Sequence, residues 1–267
     1  MIVLPLVIGS ALAVPHPNSA TTGAVAQETD PTSTLPSTVD GEERVKDGVW
    51  HGTLDIGLSK TEGNADIETF AVSGRITRDY DVHRYTGEAL WYYATTEDVR
   101  TQRRALGAAK YDQFIFDKTY VYANAFAETN EQAFVDLRWA IGAGVGQQWR
   151  DDEQWRINTE LGLAWFDEDF DNGDQVDYLA VRAAWSIFTQ ITPQLAFGHD
   201  AEIYPSLDDK DDIYGRATTY LETSISESMV AKLSWIIAYD NTPTVDEFGQ
   251  RLERVDNLYL LTVGWVF

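Results

Sequence analysis

The sequence predicts an all-β protein, a transmembrane, antiparallel, up-and-down β-barrel of about twelve strands. Three observations support this prediction. Apolar and polar residues alternate along long segments from Trp50 onward, and a period of two is typical of strands. The joins between segments are short at one end of the strands and long at the other, as in membrane barrels. The chain ends on Phe267, and an aromatic residue there suits the rim of a barrel.

Composition narrows the classes of function. The 267 residues include no cysteine, which excludes disulfides and thiol chemistry. The formal net charge of -23 argues against nucleic acid as a partner. After residue 14, no apolar run approaches the roughly 20 residues that a spanning helix needs, so a membrane crossing would use strands.

The N-terminal region is predicted to be an export signal and a linker. Residues 2–14 form an apolar run, and Ala24 and Ala26 mark a cleavage site, so a signal peptide is expected at residues 1–26. No Lys or Arg precedes the run, which indicates a start further upstream; a short buried helix is the alternative reading. Residues 27–47, rich in Thr, Ser, Pro and acids, are predicted to be a disordered periplasmic linker before a barrel at 48–267.

The barrel strands are expected where the alternation is regular. Most segments are longer than the roughly 5–6 residues of a soluble strand. They are long enough to cross a bilayer, which takes about 9–11 residues. The expected segments are 50–60, 66–79, 82–95, 101–114, 118–129, 133–150, 154–167, 175–189, 193–205, 212–224, 228–240 and 256–267.

Loop length alternates along the chain. The joins after even-numbered segments are short, at residues 80–81, 115–117, 151–153, 190–192 and 225–227. The joins after odd-numbered segments include the three longest, at 168–174, 206–211 and 241–255. A sandwich or soluble barrel has no reason to sort its loops this way, whereas outer-membrane barrels have short periplasmic turns and long outer loops.

Charged residues on one face of the segments are predicted to point into the barrel. Small neighbours on that face, such as Gly142 and Gly144, leave room for large charged side chains in a narrow lumen. The other face is apolar, for example at Leu137, Ile141 and Trp235, and is expected to meet lipid. The predicted lumen-lining residues are Asp55, Arg75, Glu88, Arg138, Arg156, Glu160, Arg182, Glu202, Arg216, Glu222 and Lys232.

Aromatic residues gather at the ends of the apolar face. Trp50, Trp149 and Phe267 are expected at one level, and Trp165 and Tyr239 at the opposite rim. This arrangement is typical of the two interfacial belts of a membrane protein. Ordinary sheet packing by tryptophan is the alternative.

A family resemblance supports the barrel. Residues 50–64, Trp-His-Gly-Thr-Leu-Asp-Ile-Gly-Leu-Ser-Lys-Thr-Glu-Gly-Asn, resemble the opening of domain-of-unknown-function family 481, the salt-induced or YdiY-like outer-membrane proteins. Arg138 with the spaced glycines up to Gly146, Gly162 and the terminal Gly-Trp-Val-Phe also fit. The resemblance covers residues 48–267. It implies a barrel in a Gram-negative outer membrane and a link with salt or osmotic stress, but no defined activity.

No catalytic residue, cofactor site or metal site is predicted. An outer-membrane hydrolase would need a serine, a histidine and a supporting carboxylate or amide. No serine lies in alternating register beside His199. The acidic run 167–174 places Asn172 and Tyr178 where an EF-hand calcium loop needs Gly and Glu. The protein is therefore expected not to be an enzyme, with an outer-membrane hydrolase kept as an alternative.

The predicted lumen charges nearly balance when Asp136 and Asp200 are counted with the other acids. Balance favours ion pairs that fill the barrel, because a pore more often shows one dominant sign near its constriction. The expected function is that of a structural or weakly permeable barrel in the bacterial outer membrane. A narrow cation-favouring small-solute channel and a secreted soluble β-protein are further alternatives.

The expected partners follow from this location. Outer-membrane lipid and lipopolysaccharide would surround the barrel, and the barrel-assembly machinery would bind the C-terminal strand. Divalent cations at the acidic loops are a further expected partner, whereas no nucleic acid is expected.

Overall fold

The computed structural model describes residues 47–61, 67–96, 99–245 and 249–267. The predicted signal peptide and all but the last residue of the predicted linker lie outside the described residues. The strands are β1 (Asp47–Thr61), β2 (Ile67–Tyr80), β3 (His83–Thr96), β4 (Val99–Phe116), β5 (Thr119–Asn130), β6 (Val135–Asp151), β7 (Trp155–Phe170), β8 (Gln175–Thr192), β9 (Leu195–Pro205), β10 (Ile213–Ser226), β11 (Met229–Asp240) and β12 (Val255–Val266). A 3-10 turn at Glu131–Ala133 joins β5 to β6. Within the described part of the chain, no helix is long and apolar enough to cross a membrane.

The strands form a closed barrel. Each strand pairs antiparallel with its neighbours in the chain, and β12 returns to pair with β1 through residues 263–266 and 53–56. The predicted up-and-down barrel of about twelve strands is therefore confirmed. The strands are longer than predicted, since β4 and β8 reach 18 residues. The strands continue beyond the bilayer as hydrogen-bonded hairpins, so they are longer than a membrane crossing requires.

Strand β6 illustrates how the sequence sorts its two faces. Leu137, Ile141 and Val145 point outward and keep 39%, 56% and 55% of their surface exposed. Arg138 and Ala140, on the alternate positions, point inward and are almost fully buried. A soluble barrel would reverse this order, because water outside would draw the charges out. Apolar residues outside and charges inside make this a transmembrane barrel.

The two ends of the barrel differ in their connections. On the turn side, two or three residues join the strands, at 81–82, 117–118, 152–154, 193–194 and 227–228. On the loop side lie the two longest joins, at 206–212 and 241–254. Strand β3 ends at Thr96 and β4 begins at Val99, also on the loop side, so the difference in connection length comes mainly from the last two loops.

Aromatic residues on the outer wall lie at both ends. Trp50, Trp149 and Phe267 are exposed near the turn side, and Trp165 is exposed toward the loop side. Outward rings at these two levels match the position of the bilayer interfaces, where an indole contacts lipid and water at once.

Inside the barrel, glycines face tyrosines. A Cβ on Gly146 would lie 2.3 Å from the ring of Tyr120, and a Cβ on Gly198 would lie 2.1 Å from the ring of Tyr220. The glycines therefore make room for large rings that point across the lumen. Gly107, on the outer wall, has no atom within 4 Å of its would-be Cβ.

One residue counted as a lumen acid lies elsewhere. Asp136 was expected inside, but it is exposed at the loop-side rim. The pairing of β6 with β7 shifts register between Val135 and Leu137, as at a β-bulge. An extra residue in one strand interrupts the alternation, so Asp136 leaves the inward series that starts at Arg138.

Gly146→Ala tests the fit between glycine and tyrosine. The added methyl group would displace Tyr120, and overpacking of this kind destabilises a protein by about 1–3 kcal/mol. The measurement is the free energy of unfolding in lipid vesicles, by denaturant titration of tryptophan fluorescence. Gly107→Ala is the matched control and should change that free energy by less than about 0.5 kcal/mol. Equal effects of the two substitutions would show that the inner fit does not matter.

Candidate functional site in the barrel lumen

A cavity of about 360 Å³ occupies the turn side and the middle of the lumen. It extends from Asp151 and Arg156 near the turn side to Arg104 and Leu106 toward the loop side. Its cations are Arg75, Arg84, Arg104, Lys110, Arg156, Arg182, Arg216 and Lys232. Its acids are Asp55, Glu88, Asp112, Asp151, Glu160, Asp200 and Glu202. Charges of both signs are present in near-equal number, so the cavity has no dominant sign.

The structure brings nine of the eleven predicted lumen residues to this cavity: Asp55, Arg75, Glu88, Arg156, Glu160, Arg182, Glu202, Arg216 and Lys232. The other two are also buried but do not line it. Glu222 pairs with Lys232 at 3.3 Å beside the cavity. Arg138 lies beyond the loop-side end of the cavity, in a separate cluster.

Sequence reasoning missed several inward charges and all the inward rings. The missed charges include Arg84, Arg104, Lys110, Asp112, Glu128, Glu168 and Asp240. The missed rings include Tyr120, Tyr122, Phe126, Phe166, Tyr204 and Tyr214. The alternation of inward and outward residues could have found them. Each of these residues is on the same side of its strand as a predicted lumen residue, or as the cross-strand partner of one.

Arg138 is the centre of the loop-side cluster, which we call the arginine plug: Glu128, Arg138, Glu168, Tyr214 and Asp240. Arg138 donates to Glu128 at 3.1 Å, to Asp240 at 2.9 Å and to Glu168. Its guanidinium carbon lies 4.3 Å from the centre of the Tyr214 ring, and the Tyr214 hydroxyl donates to Glu128 at 2.7 Å.

The arginine plug spans the lumen. Arg138 on β6 and Asp240 on β11 are five places apart around the ring of twelve strands, as are Glu128 on β5 and Tyr214 on β10. Contacts between such distant strands must cross the interior. The Arg138 side chain is only 3% exposed and that of Glu128 only 1%. The plug therefore joins opposite walls of the barrel, and these two side chains are enclosed by their neighbours.

An aromatic layer supports the plug. Phe126, Phe166, Tyr204 and Tyr214 lie with ring centres 5.2 to 6.2 Å apart and belong to one buried cluster. Arg216 lies over the Phe126 ring at 4.5 Å, which adds a cation–π contact across the lumen. Rings have few rotatable bonds, so they hold the charged groups in place at low entropic cost.

A chain of alternating charges runs along the cavity wall. Lys110 pairs with Glu160, Glu160 with Arg182 at 2.7 Å, Arg182 with Glu202 at 2.8 Å, and Glu202 with Arg216. Each carboxylate lies between two cations. Buried charges are tolerated only when they are paired in this way, because desolvation of an isolated ion costs several kcal/mol.

A further bridge crosses the middle of the lumen. Arg75 on β2 donates to Asp200 on β9 at 3.2 Å and pairs with Glu88 at 3.5 Å. Strands β2 and β9 are five places apart around the ring. The Arg75 and Asp200 side chains keep 37% and 35% exposure, and both line the cavity.

Two of the described histidines lie beside hydroxyl groups. His199 lies on the outer wall, with Nδ1 2.9 Å from the Thr219 hydroxyl and its ring 6.3 Å from that of Trp185. His83 contacts the Tyr111 hydroxyl at 2.7 Å. Among the described residues, no cluster of three or more His, Cys, Asp or Glu side chains could hold a metal ion.

Fold and lumen together define a transmembrane β-barrel with a charged interior that is bridged from wall to wall. The family model described as "Protein of unknown function, DUF481" matches residues 54–267. The chain belongs to this family, which confirms the resemblance of its opening strand and glycine pattern. No curated protein sequence matches the chain.

Solved barrels are similar to the chain in fold. The NanC porin is 12% identical, with a TM-score of 0.48, covering 79% of this chain and 98% of its own. The translocator domain of the autotransporter NalP from Neisseria meningitidis is 11% identical, with a TM-score of 0.44, covering 87% and 92%. The outer membrane channel DcaP of Acinetobacter baumannii is 9% identical, with a TM-score of 0.36, covering 82% and 95%.

Arg138→Met tests the central ion in the plug. The substitution leaves Glu128, Glu168 and Asp240 without their shared cation, and breaking a buried charge cluster typically costs about 3–5 kcal/mol. The free energy of unfolding in lipid vesicles measures the loss. Lys60→Met breaks the exposed Lys60–Glu68 pair and should cost no more than about 1 kcal/mol. A loss at Arg138 no larger than the loss at Lys60 would show that the plug carries little energy.

Asp171 predicts a pH-dependent loop. A hydrogen bond with the Asp136 carboxyl, followed by burial, raises the pKa of Asp171 above its ordinary value. A carboxyl group with a raised pKa stabilises the folded loop while it is protonated, at low pH. This contribution is lost as the pH rises through the raised pKa. Asp171→Asn should therefore slow amide hydrogen exchange in residues 171–174 at neutral pH and have little effect in acid. Asp117→Asn, which removes one charge on the turn side, is the matched control. If it slowed exchange in residues 171–174 by the same amount, the effect would not come from the contact between Asp171 and Asp136.

Proposed function

We propose that this protein is an integral barrel of the bacterial outer membrane whose lumen is closed on the loop side. It acts as a structural or weakly permeable wall element and not as an open pore. The observation that supports this function is the arginine plug, in which buried side chains from β5, β6, β7, β10 and β11 meet across the interior.

Electrostatics favour a closed resting state. A hydrated ion that enters from the turn side meets Arg75 bridged to Asp200 and then the buried plug. Displacing Arg138 would expose three carboxylates in a medium of low dielectric constant, where charge–charge energies are large. The plug therefore has one strongly preferred arrangement, and spontaneous opening is rare.

The outer-membrane location rests on the lipid-facing wall together with the predicted export signal. In this membrane the loop side would face lipopolysaccharide, and the exposed acids of residues 206–212 would contact it through divalent cations. The C-terminal strand would be the segment that the barrel-assembly machinery engages. We propose no enzymatic activity, since His199 has a threonine as its hydroxyl neighbour and lies away from the buried charges.

A narrow cation-favouring channel is the second candidate. The exposed acids Asp208, Asp209 and Asp211 lie in one of the longest loops, at the mouth above the plug. They would concentrate cations there, since clustered charge of one sign raises the local level of counter-ions. Conduction in this case requires the plug to move.

Planar-bilayer recording separates the two functions. The wild-type barrel should give no discrete current steps, because the plug blocks the lumen. The double substitution Phe166→Ala with Tyr214→Ala removes two plug-level rings without removing a charge, and should produce steps. Trp139→Ala with Trp165→Ala, on the outer wall, is the matched control and should stay silent. Wild-type steps with a preference for cations would favour the channel instead.

A further inference from the structure

One arginine on the outer wall has no acidic partner in the described part of the chain. Arg78 lies near the turn-side end of β2, on the same alternate series as Ile76 and Tyr80, which are 38% and 57% exposed. Its side chain is half-buried and therefore belongs to the outer face. No described carboxylate forms an ion pair with it. The positive charge of Arg78 is thus not neutralised within the described wall.

The neighbouring strand holds Arg78 in position. Its Nε donates to the Gly48 carbonyl oxygen at 2.7 Å. Strand β1 shifts register between Asp47 and Trp50, and Gly48 has a φ of 72°, a conformation that residues with a side chain rarely adopt. The guanidinium carbon also lies 5.9 Å from the centre of the Trp50 ring and 6.0 Å from that of the Tyr80 ring. One hydrogen bond and two cation–π contacts therefore fix the guanidinium.

The two terminal nitrogens of Arg78 remain available. Neither has a hydrogen-bond partner among the described residues. Neither belongs to the buried polar atoms that lack a partner, so both keep accessible surface. Because only Nε is engaged, the edge formed by the two terminal nitrogens is free to donate. This edge matches two oxygens of one phosphate group, which a guanidinium binds through parallel hydrogen bonds.

Arg150 shows the other arrangement that an arginine can adopt on this side of the barrel. It lies at the turn-side end of β6, its side chain is 49% exposed, and its guanidinium carbon lies 5.7 Å from the centre of the Trp155 ring. Its Nε donates to the Asp152 carboxylate. The charge of Arg150 is therefore neutralised by a neighbouring acid, whereas the charge of Arg78 is not.

Arg78 lies at the level of lipid head groups. A cross-strand row over β1–β4 consists of Trp50, Arg78, Tyr85 and Tyr111. Outward tryptophan and tyrosine mark the membrane interface, where lipid phosphates lie. The next row toward the membrane centre consists of Gly52, Ile76, Gly87 and Ala109. Three of these four residues are small, so an acyl chain has room beside Ile76 on the membrane side of the cation.

From these observations we propose that Arg78, with Gly48, Trp50 and Tyr80 around it, is a binding site for the phosphodiester head group of a glycerophospholipid in the turn-side leaflet. The two terminal nitrogens of Arg78 donate to two phosphate oxygens, and an acyl chain lies along the wall beside Ile76. Charge complementarity supports this partner, since a cation at a membrane surface attracts an anionic lipid group. The site goes beyond the proposed function and does not depend on whether the lumen is closed.

Native mass spectrometry of the full chain in detergent tests the site. The probes are phosphatidylglycerol and a diacylglycerol with the same acyl chains, which lacks the phosphate. Wild-type protein should bind the first phosphatidylglycerol at least about tenfold more tightly than the first diacylglycerol, because hydrogen bonds between charged groups are the strong ones. Equal affinity for the two lipids would overturn the proposal.

Substitutions assign the preference to Arg78. Arg78→Gln should weaken binding of the first phosphatidylglycerol about tenfold and leave diacylglycerol binding unchanged. Arg78→Lys keeps the charge but loses the paired donors, and should weaken it about threefold. Arg150→Gln also removes one turn-side charge and is the matched control, with a change of less than about twofold. No loss at Arg78→Gln, or an equal loss at Arg150→Gln, would contradict a specific site.

Competition separates a lipid site from a site for free phosphate. An excess of soluble glycerophosphoglycerol should not displace the first phosphatidylglycerol, because it lacks the acyl chains that contact the wall. Displacement by this soluble head group would overturn the assignment to a lipid. Folding of each variant is checked by heat-modifiable electrophoretic mobility, and the comparison of the two lipids on wild-type protein stands without the variants.

Discussion

The structure depends on one constraint: a backbone in hydrocarbon must pair its polar groups within the protein. A ring of antiparallel strands meets this constraint and also sends alternate side chains to opposite sides. Once Leu137 and Ile141 face lipid, Arg138 has to face the interior, and so does every charge in the same series. The character of the lumen is therefore a consequence of how the wall is built.

A charged interior creates a second problem, which the ion pairs solve. Buried ions need partners, and Arg138 and Arg75 have theirs both on an adjacent strand and on the opposite wall, at Asp240 and Asp200. The side chains therefore reach across the lumen, and the bridges that neutralise them also obstruct it. Under the proposed function, stability of the buried charges and closure of the lumen share one cause in the arginine plug.

The pairing of the last strand with the first completes the ring. Strand β12 pairs with β1 through residues 263–266 and 53–56, and Gly52 and Phe267 exchange backbone hydrogen bonds of 2.9 and 3.1 Å. An open strand edge at membrane depth would leave polar backbone groups in hydrocarbon, so the barrel depends on this closure.

Sequence alone determined the strand number, the inward and outward faces, and the assignment of residues such as Arg138 and Trp235, because a period of two needs only local spacing. The alternation predicted the wrong face for Asp136, because a bulge in the pairing of β6 with β7 interrupts the alternation at that residue. Only the tertiary structure decided which charges meet, since Arg138 and Asp240 are 102 residues apart and come together through barrel closure. The register in which β12 meets β1 was likewise not visible in the sequence, because it depends on how the two ends of the ring fit after all the other strands have paired.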